Sequence, residues 1–391
     1  MKRRRFERMG PVFLVLGGIS IALSAQGQAP TPGVVAGNFT TYQQGFLKTR
    51  PEAAQSISQY FALDGTLQPA LNGEFFHVGA PPNAYTWSRT NTPATVRQGK
   101  KEVTVDLGAA NLVQALGTAG PPHAFSDSAT NPTDMGTGGI LAVQALTLKI
   151  NQGFSEVFVT PVTGFSGLSL VNMDDVELDG SVLTPAQVDA LNGQATLQIR
   201  EATDVPLGGG ASPYGLSVGQ LTDLIDLLNG SFEGGQPSAF AQAHLYQPYV
   251  TSNAFAGKRP STVSVFASKP TYNTFQGVVT YVGTGCVSSD YVNFLAGRIA
   301  LIQRGTCSFQ QKVLAASAAR AIGAIIFNSL PEIGGPCPGV PTRGSSRCET
   351  LVGMGSVSGL PLSPIPAAFV QRSTGLLLRD TPGAVSVFVQ Q

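Results

Sequence analysis

The stretch Gly297–Asn328 reads GRIALIQRGTCSFQQKVLAASAARAIGAIIFN, and its 32 residues decide the fold around it. Ile299, Leu301 and Ile302 mark a short apolar strand between Arg298 and Gln303. Gly305 and Thr306 break the run, and the Ser308 hydroxyl can accept from the first backbone N–H groups of a following helix. From Phe309 to Ile322 the chain is alanine-rich, with Phe309, Val313, Ala316 and Arg320 at helical spacing. Gly323 is expected to stop that helix, and Ala324–Phe327 is a continuous apolar run typical of a strand buried on both faces. A strand, helix and strand this close together cross over right-handed and lay two parallel strands in one sheet. The unit holds no evident reactive constellation, so it reads as scaffold.

Gly297–Ile302, Arg304–Phe309, Lys312 and Ala321–Asn328 together resemble the core signature of the protease-associated (PA) domain. The resemblance extends over roughly Val263–Val389, about a third of the chain. It implies a β-sandwich or open barrel with flanking helices. Strands are expected at Thr262–Ala267, Gly277–Val282, Ile365–Val370 and Ala384–Val389, with a short helix over Gln371–Arg379. The overall class is then α+β, with a mainly helical, loop-rich region preceding the PA-type domain. In families that share it, the domain is linked to protein contact, substrate selection or covering of a peptidase site.

Composition narrows the alternatives. A formal charge of +1 over 391 residues, with 12% charged residues, excludes the basic surface that nucleic acid needs. Lys2, Arg3, Arg4, Arg5 and Arg8 precede an apolar run from Pro11 to Ala25. That run is short of the ~20 residues of a membrane span, and it reads as a signal peptide over 1–29. The mature chain is expected to lack a transmembrane segment and to be secreted, extracellular or periplasmic.

All four cysteines, Cys286, Cys307, Cys337 and Cys348, lie in the last third. An even number in an exported domain reads as two disulfides, for which three pairings exist. Cys286–Cys307 with Cys337–Cys348 is favoured. The first tie would join the loop after Val282 to the turn before the central helix, and the PA resemblance implies it too. The second would close a short Gly- and Pro-containing excursion. Separations of 21, 30 and 11 residues lack the close spacing of a zinc site.

The chain divides at sequence level into a loop-rich region over 30–137, a helical region over 138–235, a linker over 236–261 and the PA-type domain over 262–391. Trp87 is expected to anchor a core. Ile140–Ile150, Thr184–Ile199 and Leu216–Asn229 carry three amphipathic helices, and this part is weakly similar to helical segments of uncharacterised bacterial secreted proteins. Asn38 and Asn229 head N-glycosylation acceptor triplets. Asp175, Glu177, Asp179 and Gly180 match the first half of a calcium loop, but Ala186 stands where its bidentate Glu belongs, so a solvated acidic turn is favoured.

Catalytic motifs are missing from the sequence. His77, His123 and His244 are far apart, with neither HExxH nor GxSxG present. A triad of His123, Asp127 and a distant Ser has no motif behind it. The candidate binding residues are Arg304, Lys312, Arg343 and Arg347, with Arg304 favoured as a structural cation. No catalytic residue, metal or cofactor is assigned. The expected function is that of an exported non-catalytic protein binding a protein or peptide partner, through the excursion from Leu330 to Leu362. The alternatives are a secreted peptidase with its catalytic region in the N-terminal part, and a cell-surface structural protein. Whether any histidine comes within reach of an acid or nucleophile separates them.

Overall fold

The computed structural model describes residues 39–50, 53–58, 76–98, 101–156, 163–264, 266, 274–329, 349–357 and 359–389. The signal peptide, Asn38, the Cys337–Cys348 pairing, Arg343, Arg347 and most of the Leu330–Leu362 excursion lie outside them. No helix among the described residues is long and apolar enough to cross a membrane.

The N-terminal part is built on helices. In chain order these are α1 (Gln44–Thr49), α2 (residues 53–58), α3 (Leu107–Ala115), α4 (Gly139–Glu156), α5 (Pro185–Leu191), α6 (Thr196–Leu207), α7 (Val218–Asn229) and α8 (Ala239–His244). A hairpin of β1 (Phe76–Ala80) and β2 (Asn83–Trp87) pairs with the short β5 (Ala129–Thr130). A second hairpin joins β3 (Pro93–Gln98) to β4 (Lys101–Asp106). One hydrophobic cluster runs from Phe39 to Leu245, so the regions expected at 30–137 and 138–235 share a core. Trp87 is fully buried in it and donates from Nε1 to the Pro132 carbonyl at 2.9 Å, as a core anchor should.

Thr184 and Ser217 close capping boxes with Gln187 and Gln220 at the starts expected for α5 and α7. The middle helix is split, however. Asn192–Ala195 interrupts it, with Gly193 at φ +84°, and the Gly193 N–H is turned out to the Leu170 carbonyl at 2.7 Å. The acidic turn is the loop of a two-strand hairpin, β7 (Glu177–Leu178) and β8 (Ser181–Val182), turned by Asp179 and Gly180 at positive φ. Asn229 is wholly buried. Its Nδ2 donates to the Gln144 carbonyl and to Gln144 Oε1, and its Oδ1 accepts from Asn151, so it is closed to glycosylation.

The stretch expected as a linker is ordered structure. Residues 239–263 hold α8, β9 (Leu245–Tyr246), β10 (Tyr249–Ser252) and β11 (Phe255–Val263), and β9 pairs with β6 (Ser169–Leu170). Pro248, Gly257 and Pro260 punctuate this stretch, and they flank or ride on strands. A closed seven-strand barrel then runs β10-β11-β15-β14-β13-β12-β16. Its further strands are β12 (Phe275–Tyr281), β13 (Ile299–Gln303), β14 (Gly323–Phe327), β15 (Ala367–Val370) and β16 (Val385–Val389). The pairs β12–β13, β13–β14 and β14–β15 are parallel and the rest antiparallel. Alternate residues of β13 serve two cores. Ala300 and Ile302 pack with Val313 and Ala316 of α9 (Phe309–Ala318), and Ile299 and Leu301 pack with Phe388 and with Leu378 of α10 (Arg372–Asp380). The helical part meets the barrel at Gly167, where a Cβ would fall 2.3 Å from Thr262 side-chain atoms. Nearby, Thr163 Oγ1 accepts from the Leu351 N–H at 3.0 Å.

Ser308 caps α9 as expected, in a capping box with Gln311. The helix ends at Ala318, before Gly323. Arg320 takes the left-handed φ of +63°, its N–H donating to Ser317 O and that of Ala321 to Ala316 O, which is the Schellman closure. Gly323 instead opens β14, where a Cβ would meet Phe275 at 2.7 Å. A non-glycine residue in that backbone region is strained by about 1–2 kcal/mol. Arg320→Gly should therefore stabilise the protein by about 1 kcal/mol, read as a higher urea midpoint with an unchanged slope.

Candidate functional site

Of the three histidines, His77 is the one built into a charged cluster. Alternation along β1 sends Phe76 and Val78 into the core and leaves His77 on the opposite face, across from Thr86 of β2. The outer edge of β1 lies against α6, and the Gly79 N–H donates to Asp204 Oδ1 at 3.0 Å. Lys149 of α4 donates to the His77 carbonyl at 2.8 Å and comes within 3.0 Å of His77 Nδ1. On the other side of the ring, Asp204 Oδ2 lies 3.6 Å from Nε2 and 3.2 Å from a guanidinium nitrogen of Arg200, one helical turn away. Arg200 also reaches Glu201 at 3.3 Å.

The electrostatics follow from this alternation of charge. The Lys149 ammonium, then burial, then Arg200 hold the His77 pKa down at about 3, so the imidazole is neutral at pH 7. With Lys149 donating to Nδ1, the ring proton belongs on Nε2, facing Asp204. Burial pushes the Asp204 carboxyl up, while Arg200, Lys149 and the Gly79 N–H pull it back. Beside the cluster, on the same face of the sheet, opens a cleft of about 300 Å³ lined by Pro81, Pro82, Ala84, Thr86, Ser128 and Thr130 among others. Thr86 joins the two, because it pairs with His77 on one side and with Thr130 on the other.

The remaining sequence candidates fall elsewhere. His123 is exposed, and Asp127 accepts from the Tyr85 hydroxyl at 2.8 Å. His244 Nδ1 lies 2.9 Å from the Asn172 carbonyl, and its Nε2 lies 3.8 Å from Asp175. Arg304 is buried, with its guanidinium over the rings of Phe309 and Phe369 at 5.5 and 6.0 Å. Lys312 is completely buried and donates to the Thr284 carbonyl. Neither cation is a surface binding residue. Cys286 and Cys307 are joined by a disulfide. Sequence reasoning missed Lys149, Arg200 and Asp204, which belong to no motif. Their signal is a charge set among apolar neighbours, Lys149 between Leu148 and Ile150, and Arg200 and Asp204 on a helix that also carries Leu197, Ile199 and Leu207.

Residues 275–378 match the profile of the PA domain. Those residues are a PA domain. The match leaves residues 1–274 uncovered. Leucine aminopeptidase 2 of Trichophyton equinum is 31% identical over 153 residues, which cover 36% of this chain and 30% of that one. An aminopeptidase of Pseudomonas aeruginosa (strain UCBPP-PA14) is 62% identical over 45 residues, covering 12% and 8% of the two chains. Among solved structures, the zinc aminopeptidase BSAP of Bacillus subtilis is 20% identical with a TM-score of 0.26, over 37% of this chain and 30% of that one. The chain thus spans less than a third of the length of the fungal and Bacillus relatives named here.

These relatives overturn the expected non-catalytic interaction protein. They are aminopeptidases, and the alternative of a secreted peptidase fits them better. Among the described residues of this chain, no group of three or more His, Cys, Asp or Glu is placed to hold a metal ion.

His77 titrates with a depressed pKa in the folded state, so it contributes stability above its ordinary pKa of about 6.5. That contribution is lost as pH falls from 6.5 towards about 3, because the unfolded chain takes up a proton that the folded chain refuses. Urea unfolding across this window should show the wild type losing stability relative to His77→Gln. Parallel pH profiles for the two proteins would contradict the assignment.

Proposed function

We propose that the protein is an exported peptidase, with a peptide-cleaving centre in the N-terminal part beside His77 and the PA domain as its accessory module. The observation that carries this reading is the partial match of the chain to aminopeptidases of fungi and of Pseudomonas aeruginosa. Export is supported by the basic and then apolar run from Lys2 to Ala25 and by the Cys286–Cys307 disulfide.

The cluster suggests how chemistry would proceed. As it stands, both ring nitrogens of His77 are engaged, Nδ1 by Lys149 and Nε2–H by Asp204. A peptide reaching from the cleft across Thr86 to His77 would bring a carbonyl oxygen to the Lys149 ammonium. Lys149 would then leave Nδ1 while retaining its bond to the His77 backbone, and it would stabilise the negative charge that develops on that oxygen. The freed Nδ1, more basic once the ammonium is paired with that oxygen, would take a proton from the attacking water and pass it to the amine nitrogen as the C–N bond breaks. Asp204 would hold the Nε2–H and stabilise the imidazolium that forms. Arg200 and the Gly79 N–H would keep Asp204 in place and act as positioning groups.

The test is cleavage by the purified full-length chain of a panel of aminoacyl-coumarin amides and internally quenched peptides. His77→Gln and Lys149→Met should each lower kcat/KM by about 10²-fold or more, the range for general-base and electrostatic groups, with melting temperatures near wild type. Full activity in both variants would move the centre away from His77, and an inert wild-type chain would sink the peptidase reading.

A further inference from the structure

Lys312 lies at the end of the first turn of α9, wholly buried, with Nζ donating to the Thr284 carbonyl and 3.3 Å from Cys286 Sγ. The carboxylate nearby is committed elsewhere. Asp290 accepts from the N–H groups of Cys286 at 2.8 Å and Val287 at 3.4 Å, and from Thr284 Oγ1 at 3.3 Å. The other titratable group here, Tyr291, donates to the carbonyls of Lys312 and Gly285. A carbonyl and a disulfide sulfur are therefore the direct neighbours of a buried ammonium. Burial lowers the Lys312 pKa to about 8, with Asp290 pulling the other way. Such a cation is stabilised by any anion formed against it, and Cys286 Sγ is the atom in place to become one.

We propose that Cys286–Cys307 is a thiol-exchange site, at which an external thiolate attacks Sγ of Cys307 and Cys286 departs as a thiolate paired with the Lys312 ammonium. The direction follows from placement. Both cysteines are half-buried, and it is the Cys286 sulfur that lies against the Lys312 ammonium. In the first step a bond forms between the incoming sulfur and Cys307, and the electron pair of the broken disulfide stays on Cys286. A second thiolate then attacks the incoming sulfur in the mixed disulfide. Cys307 is released as a thiolate, and the reductant leaves as its own disulfide. A better-stabilised leaving thiolate departs faster, so Lys312 sets the rate. Exchange opens the clasp between the loop after β12 and the turn before α9. This inference is independent of the peptidase reading.

The test treats the full-length chain with dithiothreitol at pH 7.5 and follows Cys286 and Cys307 by alkylation and peptide mass mapping. Lys312→Met should slow exchange about tenfold or more, whereas Lys312→Arg, which keeps the charge, should stay within about threefold of wild type. In the reduced wild type, the pH profile of Cys286 alkylation should have its midpoint below the ordinary thiol value of about 8.5, and in Lys312→Met at or above it. Equal exchange rates in wild type and Lys312→Met, or a wild-type midpoint at or above about 8.5, would overturn the proposal. Should Lys312→Met fail to fold by near-ultraviolet circular dichroism, the wild-type profile decides alone.

Discussion

Parallel pairing of β13 with β12 and β14 is the constraint on which the C-terminal part depends. Parallel neighbours cannot be joined by a tight turn, so the chain must leave the sheet and return by a crossover, a long loop between β12 and β13 and α9 between β13 and β14. Ile299–Ile302 and Gly323–Phe327 are buried on both faces, so each face needs a cover. α9 covers one face and α10 the other, and each adds its own apolar residues to the core beneath it. The disulfide closes the entrance to the crossover, and Arg304 lies against the rings of Phe309 and Phe369 at the same corner. The barrel closes through β10 and β11, which come from the segment before the PA match, so the domain as folded is larger than its matched core.

The central crossover was legible because its signals are local and agree with one another. Ser308 with Gln311 marks the helix start, and the unbroken apolar runs on either side admit one topology. The helix end was not legible. Arg320 holds a backbone conformation that glycine would normally take, and the hydrogen bonds of the last turn overrule the residue type. β10 and β11 were hidden for a related reason. Proline and glycine punctuate them as they would a linker, and their pairing partners lie far along the chain, Val250 on Phe388 and Thr262 on Phe369. Asn229 carries a surface motif, yet its amide is consumed inside a buried network with Gln144 and Asn151.

The candidate site was illegible for a different physical reason. Its residues are 72 positions apart for His77 and Lys149, and 125 apart for Gly79 and Asp204. No spacing rule joins them. What the sequence does contain is Lys149 within the run Leu146-Thr147-Leu148-Lys149-Ile150, and Arg200 with Asp204 at one-turn spacing on a helix that also carries Leu197, Ile199 and Leu207. A charge in such a setting must find a partner in three dimensions or shift its protonation. The hairpin turn at Pro81-Pro82 brings His77 and Gly79 to α6, and the partner is found there.

Lys149 and Lys312 then stand as two versions of one arrangement. Each ammonium donates to a backbone carbonyl, His77 in one case and Thr284 in the other, and each lies against a polarisable group that is neutral at pH 7. For Lys149 that group is an imidazole, and for Lys312 a disulfide. In both places a carboxylate stands near but is engaged by backbone N–H groups, Asp204 by Gly79 and Asp290 by Cys286 and Val287. A cation held this way favours whatever negative charge appears in front of it, most strongly at Lys312, where burial has removed the water that would otherwise screen it. At Lys149 the charge would belong to a carbonyl oxygen under attack, and at Lys312 to a departing sulfur. What sets the two places apart is the surroundings: Lys149 shares its place with Asp204 and Arg200, whereas Lys312 is wholly buried against a carbonyl and a sulfur.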